Sequence, residues 1–185
     1  MARLRIIAGK FGGRFINADV NRSTHPMGDR VRSGMFASLA SRDVLDGARV
    51  LDAFAGTGAV GLEALSRGAE SVVFLEKDRA AAKVIRQNIE TLGVGDRAKV
   101  INTTVSNWLA TRDSTDEFDL IFADPPYNNP QFSTVYRLFD ALKSKGLMIL
   151  SKPVRTCESE PSKGVVVVDD FRSYGEATLV FYRKI

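Results

Sequence analysis

The sequence predicts an α/β protein with one doubly wound, mostly parallel, seven-stranded sheet. To this it adds a terminal antiparallel strand and a small N-terminal β-hairpin extension. Three observations predict this class. From Val50 to Leu150, short apolar runs alternate with amphipathic helical patterns, the signature of βαβ units. Glycines stand at the joins between them. The tail then carries two strand-like runs, Val165 to Val168 and Ala177 to Tyr182, with no clear helix between, so they form an antiparallel pair at one edge.

Leu4 to Ala8, Gly9-Lys10-Phe11-Gly12-Gly13 and Arg14 to Ala18 read as strand, turn and strand, with glycines for the positive φ of the turn. Residues 19–28 form a polar loop holding His25, the only histidine, which has no acidic or thiol partner nearby. Val31, Met35, Phe36 and Leu39 recur at helical spacing, which places Arg30 and Arg32 on the polar side of an amphipathic helix. Val50 to Phe54 is the first core strand, Ala59 to Arg67 a helix, Ser71 to Glu76 a strand and Arg79 to Leu92 a helix stopped by Gly93. Lys99 to Asn102 is a strand and Ser106 to Thr111 a helix with Trp108 in the core. Phe118 to Ala123 is a buried strand. Phe132, Val135, Tyr136, Phe139 and Leu142 mark another helix, and Leu147 to Leu150 a strand after Gly146. The expected domains are a basic hairpin and loop, 1–28, and a catalytic domain, 29–185.

At 185 residues the chain can bury a full core. No stretch approaches the ~20 apolar residues that span a bilayer, and the short run at Leu4 is no signal peptide. A single cysteine, Cys157, excludes an internal disulfide and a cysteine-based zinc cluster. The expected setting is the cytoplasm, with no membrane and no metal. The net charge of +4 is uneven: residues 1–32 hold seven basic and two acidic residues, so the remainder is near neutral. A basic arm on a neutral body suits a polyanion such as nucleic acid, although a solvated basic face is the plainer reading.

After the first core strand, Phe54-Ala55-Gly56-Thr57-Gly58-Ala59-Val60-Gly61 satisfies G-x-G-x-x-G, and Glu76 ends the next strand 20 residues after Gly56. The glycines let a ligand approach the backbone, and the acid can accept ribose hydroxyls. This fits either a nicotinamide or flavin dinucleotide or S-adenosylmethionine (AdoMet). Asp124-Pro125-Pro126-Tyr127, at the end of the fourth strand, favours the second. The prolines stiffen the tip and cannot continue the ladder. Asp124 can accept one N–H of a planar amine and the Pro125 carbonyl the other, which turns the nitrogen lone pair toward a methyl donor. Tyr127 can stack on the base. This suits nitrogen methylation without a metal. A dehydrogenase would want a His or Lys acid that the chain does not offer.

These residues carry a family resemblance. Asp124 to Tyr127 resembles the amino-methyltransferase tetrapeptide, and Ala53 to Gly58 the AdoMet loop of class I methyltransferases. Arg5-Ile6-Ile7-Ala8-Gly9-Lys10, Asp29-Arg30-Val31-Arg32 and Gly61 to Gly68 are collinear with it. The chain thus resembles the RsmD family of bacterial small-subunit rRNA guanine-N2 methyltransferases. The resemblance implies Asp124, Pro125 and Tyr127 as catalytic residues. It implies AdoMet binding by Asp52, Phe54, Ala55, Gly56, Thr57, Gly58, Glu76, Lys77 and Thr104. It implies RNA contacts from Pro126, Arg3, Arg5, Lys10, Arg14, Arg30 and Arg32. The implied partner is ribosomal RNA, free or in an assembled or assembling 30S subunit, and a single-domain enzyme of this size can act as a monomer. Two stretches depart from the family pattern. His25-Pro26-Met27-Gly28 precedes Asp29, with Ser33 where the family has Glu, and Thr103-Thr104-Val105 stands where an Asp or Asn often meets adenine. An adenine or glutamine-amide methyltransferase, and a non-catalytic RNA-binding factor, are the other readings of the same residues.

Overall fold

The structure is a computed structural model that describes residues 2–18, 27–154 and 166–185. His25, Cys157 and Val165 lie outside the described residues. Two short strands, β1 (Arg3–Arg5) and β2 (Phe15–Asn17), pair antiparallel as the expected hairpin. The main sheet holds β3 (Arg49–Asp52), β4 (Ser71–Leu75), β5 (Ala98–Ile101), β6 (Phe118–Ala123), β7 (Leu142–Pro153), β8 (Val166–Tyr174) and β9 (Ala177–Lys184), in the order β5-β4-β3-β6-β7-β9-β8. The first five of these are parallel to one another, and β9 runs antiparallel between β7 and β8.

This order places the topological switch between β3 and β6. From β3 the chain winds outward through β4 and β5, then returns to β6 on the other side. Ligands bind in such sheets beyond the carboxyl ends of the strands at that switch. The glycine loop follows β3 and the Asp124 tip follows β6, so they become neighbours although about 70 residues separate them.

Strand alternation divides the core into two layers. Val50, Leu120, Phe122, Ile149, Leu179 and Phe181 face α1 (Asp29–Ser41), α2 (Ala59–Ser66), α3 (Arg79–Leu92) and the hairpin. Leu51, Ala53, Ile121, Met148, Leu150 and Tyr182 face α4 (Val105–Thr111) and α5 (Phe132–Tyr136). Each buried Leu, Ile or Phe contributes about 1.5–3 kcal/mol. Close approach of α2 to the sheet depends on Gly61: a Cβ there would lie 2.3 Å from Phe74 Cε1.

Three elements differ from the sequence expectation, the first being β8, which runs on to Tyr174 instead of ending at Val168. The helix through Leu142 is instead α5 followed by a 3₁₀ turn, Arg137–Ala141, and Leu142 already belongs to β7. The tightened turn carries Tyr136 and Phe139 into parallel stacking at 6.1 Å, and both meet the edge of Tyr182. Gly146 does not precede a strand but sits inside one. β6 pairs Phe118 with Leu142 and then Leu120 with Leu147, so residues 143–146 form a bulge with Lys145 at φ 63°.

Candidate active site

The loop after β3 is a tight turn on itself. Gly58 donates to Ala55 O at 2.7 Å and caps α2 with φ 77°, and Gly56 has φ 52°. L-residues rarely adopt that backbone region. Ala55 donates to Leu75 O, which ties the loop to the end of β4. Thr57 is buried, and its carbonyl accepts from Asn88 Nδ2 of α3 at 3.5 Å. Glu76, just past β4, accepts from Gly56 N through Oε2 at 2.7 Å and from Asp78 N through Oε1 at 2.8 Å. The first amide of the glycine loop is therefore already occupied by a carboxylate. A dinucleotide would need that amide for its pyrophosphate and would meet the Glu76 charge instead. The Glu76 acceptors at this turn suit ribose hydroxyls and a positive centre, so the residues present fit AdoMet better than a pyrophosphate.

Lys77 is exposed beside Glu76. Thr104 is occupied locally: it caps α4, its Oγ1 accepting from Asn107 N at 3.1 Å. Phe54 is half-buried at the loop.

Asp124 is half-buried at the end of β6, Pro125 is buried, and Pro126 and Tyr127 are exposed. Exposure at the tip thus begins only at Pro126. Asn129 N donates to the Pro126 carbonyl. Among the described residues no hydrogen bond ends on the Pro125 carbonyl. Tyr127 Oη lies 2.9 Å from Ser151 Oγ on β7, and the Ser151 hydroxyl also hydrogen-bonds the Asp124 carboxyl. Ser151 is 2% exposed. With Ser151 donating to Asp124, Tyr127 donates to Ser151. Ser151 thus links the Tyr127 hydroxyl to the Asp124 carboxyl, while Tyr127 stays exposed.

Electrostatically the site is a cluster of three acids. Burial pushes Asp52 up to about 7; the Gly61 N–H opposes this, and the Asp124 and Glu76 charges add to it. Asp52 Oδ2 accepts from Gly61 N at 3.0 Å, so it braces α2 from beneath the loop. Burial also pushes Asp124 up to about 6, against the lowering hydrogen bond from Ser151. Glu76 is raised by burial, with the Asp78 and Gly56 amides pulling the other way. Three carboxyls thus converge on the switch point, and their repulsion falls when a cation binds between them.

The basic residues named from the sequence separate into groups. Arg3 and Arg5 are exposed on the hairpin, and Arg30 is exposed on α1. Lys10 and Arg14 lie about the Phe11 ring, at 5.8 and 5.7 Å from its centroid, and Arg14 also donates to Thr91 O. Arg32 corrects the sequence reading. It is 1% exposed, not on a polar face. Its Nη2 donates to Arg5 O and Asp29 Oδ1, which ties α1 to β1, and its Nε and Nη1 have no hydrogen-bond partner among the described residues. This guanidinium braces the hairpin against α1 and does not face solvent.

Several site residues escaped the sequence reading. Ser151 has no motif; its one signal is a polar residue ending an apolar strand. Asn102 donates to Glu76 O and Lys77 O and so holds the turn after β4. Glu63, fully buried in α2, accepts from Ile7 N and Ala8 N and pairs with Arg67. Asn88 holds Asn17 by both its backbone N–H and carbonyl. These polar side chains dock the hairpin beside the glycine loop. A separate recess of ≈ 430 Å³ opens at the opposite, amino end of the sheet, lined by Arg49, Asp119 and Lys143 among others. There Lys143 pairs with Asp119 and Arg49 N donates to Asp119.

This order of strands, with a glycine loop, an acid after β4 and an Asp-Pro-Pro-Tyr tip at the switch, defines a class I methyltransferase. A family model described as "Conserved hypothetical protein 95" matches residues 4–183. The chain belongs to that family, the RsmD-like group its motifs resemble. YlbH of Bacillus subtilis is 32% identical over 185 residues, covering 98% of this chain and 99% of its own length. The Escherichia coli protein named ribosomal RNA small subunit methyltransferase D is 38% identical over 125 residues, or 68% of this chain and 61% of that protein. The solved structure of Escherichia coli yhhF superposes with a TM-score of 0.84 at 30% identity, covering 99% of this chain and 98% of that one.

Proposed function

We propose that this protein transfers a methyl group from AdoMet to the exocyclic N2 of a guanine in small-subunit (16S) ribosomal RNA. The observation that carries this reading is the Asp124 carboxyl, positioned by Ser151 and placed beside an acid-occupied glycine loop. AdoMet supplies a methyl group already activated on a sulfonium.

The loop Phe54 to Gly58 receives the nucleoside side of that cofactor, with Glu76 accepting ribose hydroxyls and Lys77 beside it. Asp52 holds the loop and its helix in place. Thr104 lines the adenine side; its hydroxyl oxygen accepts from the Asn107 amide, and its O–H is still able to donate. At the other wall, Asp124 accepts one N–H of the target amine and the Pro125 carbonyl accepts the second. With both hydrogens held, the nitrogen lone pair is turned out of conjugation and toward the methyl donor. Positive charge that would develop on the nitrogen during transfer would face the Asp124 carboxylate, and that carboxylate would take the surplus proton and pass it to solvent once the demethylated cofactor has formed. Tyr127 stacks on the base with Pro126 beside it, which offsets part of the cost of unstacking the base.

Arg3, Arg5, Lys10 and Arg30 lead the RNA to this mouth. The setting is cytoplasmic, on ribosomal RNA free or within an assembling 30S subunit, and the protein acts as a monomer. Among the described residues no helix is long and apolar enough to cross a membrane, and no cluster of potential metal ligands is found.

Replacing Asp124 by Ala tests the reading. Methyl transfer to unmodified 30S subunits should fall by several orders of magnitude, while AdoMet affinity by calorimetry stays within a few-fold. Full activity of the variant would remove Asp124 from the mechanism.

A further inference from the structure

The outer face of the hairpin carries a single aromatic ring among cations. In the register of β1 and β2, Leu4 lies opposite Ile16 and both turn inward, with Ile16 buried. Arg3 and Arg5 therefore turn outward, and Phe15, directly opposite Arg5, turns outward with them. Phe15 is 58% exposed. Among the described residues neither Arg3 nor Arg5 is in an ion pair, and Phe15 makes no ring contact. Residues 2–18 hold four cations and no acid.

A lone exposed phenylalanine is ordinary by itself. Its setting here is not. The ribbon under it is held rigidly: Glu63 takes the amides of Ile7 and Ala8, Lys10 N donates to Ser66 O, and Asn88 clamps Asn17. A Cβ on Gly9 would fall 1.9 Å from Ser66 O, so the turn lies directly on α2. Asn88 also reaches the Thr57 carbonyl of the glycine loop. The ribbon therefore starts beside the candidate site at Asn17 and runs away from it, with Phe15 one step along its open face.

A fixed flat ring with a guanidinium across from it and a second on the next pair matches an unpaired nucleotide. The ring meets the base face and the guanidinium groups meet the phosphates on either side. Paired RNA hides its base faces in the stack and would meet only the arginines. An acidic protein partner would meet the arginines but has no base to place on the ring. We infer that Arg3, Arg5 and Phe15 form a stacking platform for an unpaired RNA nucleotide that neighbours the methylated base. This rests on the RNA reading of the site and adds the kind of RNA element it takes.

Phe15→Trp provides the test. The sequence has one tryptophan, Trp108, which is 5% exposed, so the new indole reports the outer face alone. The AdoMet-loaded variant is titrated with a short single-stranded RNA and with the same strand in a duplex, and occupancy is followed separately by anisotropy. The single strand should quench the new indole strongly and the duplex should leave it nearly unchanged at equal occupancy. Phe15→Ala should bind the single strand about 5- to 100-fold more weakly, with Phe15→Trp restoring affinity. Equal quenching by duplex, or Phe15→Ala binding as well as the parent, overturns the platform. Methyl transfer by the parent chain to rRNA is measured alongside. Transfer with an unchanged KM in Phe15→Ala overturns only the platform, whereas absent transfer in the parent overturns the methyltransferase reading itself.

Discussion

Tyr127 Oη and Ser151 Oγ lie 2.9 Å apart, and the same serine hydroxyl reaches the Asp124 carboxyl. One residue of β7 thus sets both the ring that receives the base and the acid that holds its amine. Ser151→Ala should free the ring and remove a hydrogen bond that lowers the Asp124 pKa. Asp124 sits at about 6 with that bond in place. Without it the carboxyl titrates higher, so the acid limb of the pH–rate profile should move upward and kcat near neutral pH should fall. A purely structural role would lower the amplitude and leave the limb where it is. Ser151→Thr should restore the position of the limb.

Asp52 makes its own pH prediction. Its folded pKa of about 7 lies above the ordinary 3.8, so the folded state binds more protons than the unfolded state between these values. Stability must then fall as pH rises through that window. Asp52→Asn keeps an oxygen for the Gly61 amide and removes the charge. The cofactor-free parent should lose denaturant resistance between about pH 5 and about pH 8, and the variant should lose clearly less. Identical slopes would mean that Asp52 does not carry the effect.

Glu76 is held by two backbone amides, so its loss costs the loop as well as the ligand. Glu76→Ala should weaken AdoMet binding by roughly 1.5–3 kcal/mol. Glu76→Gln, which keeps acceptors but no charge, should fall between. Calorimetry with AdoMet and with NADH separates the two ligand classes: measurable NADH affinity would contradict the occupied Gly56 amide as a barrier to pyrophosphate.

The hairpin's charges are not equivalent. Arg3→Gln with Arg5→Gln should flatten the salt dependence of RNA binding by roughly 1.5 in the log–log slope, the amount expected for two phosphate contacts. Arg32→Gln should leave that slope alone and lower stability, because Arg32 is buried between α1 and β1. Glu63→Ala should undock the hairpin, at a cost on the order of 2–3 kcal/mol, and weaken RNA binding without touching AdoMet affinity.

Much of this was legible in the sequence. The alternation of apolar runs and helical spacing is set by the sheet's period and its packing, so the strands and helices from Arg49 to Ala123 fell close to their observed bounds, whereas α5, β7 and β8 after them did not. The glycine loop and the Asp124 tip were legible because backbone geometry demands unusual residues there. The less legible parts depend on contacts between distant residues. Ser151 meets Tyr127 across 24 positions, and Glu63 meets Ile7 across 56. Glu63 and Ser66 look like surface residues of a helix until a second ribbon covers them. Arg32 carries the same lesson: helical spacing put it on an open face, but the hairpin is folded over that face. The bulge at Lys145 arises from register between β6 and β7, which neither strand encodes alone.

The most direct test is the identity of the methylated nucleoside. Unmodified 30S subunits and free 16S rRNA are each incubated with the protein and isotopically labelled AdoMet, digested, and resolved by mass spectrometry. The account predicts a single labelled product, N2-methylguanosine, lost in Asp124→Ala. Label on an adenine N6, on protein, or on no acceptor at all would contradict it.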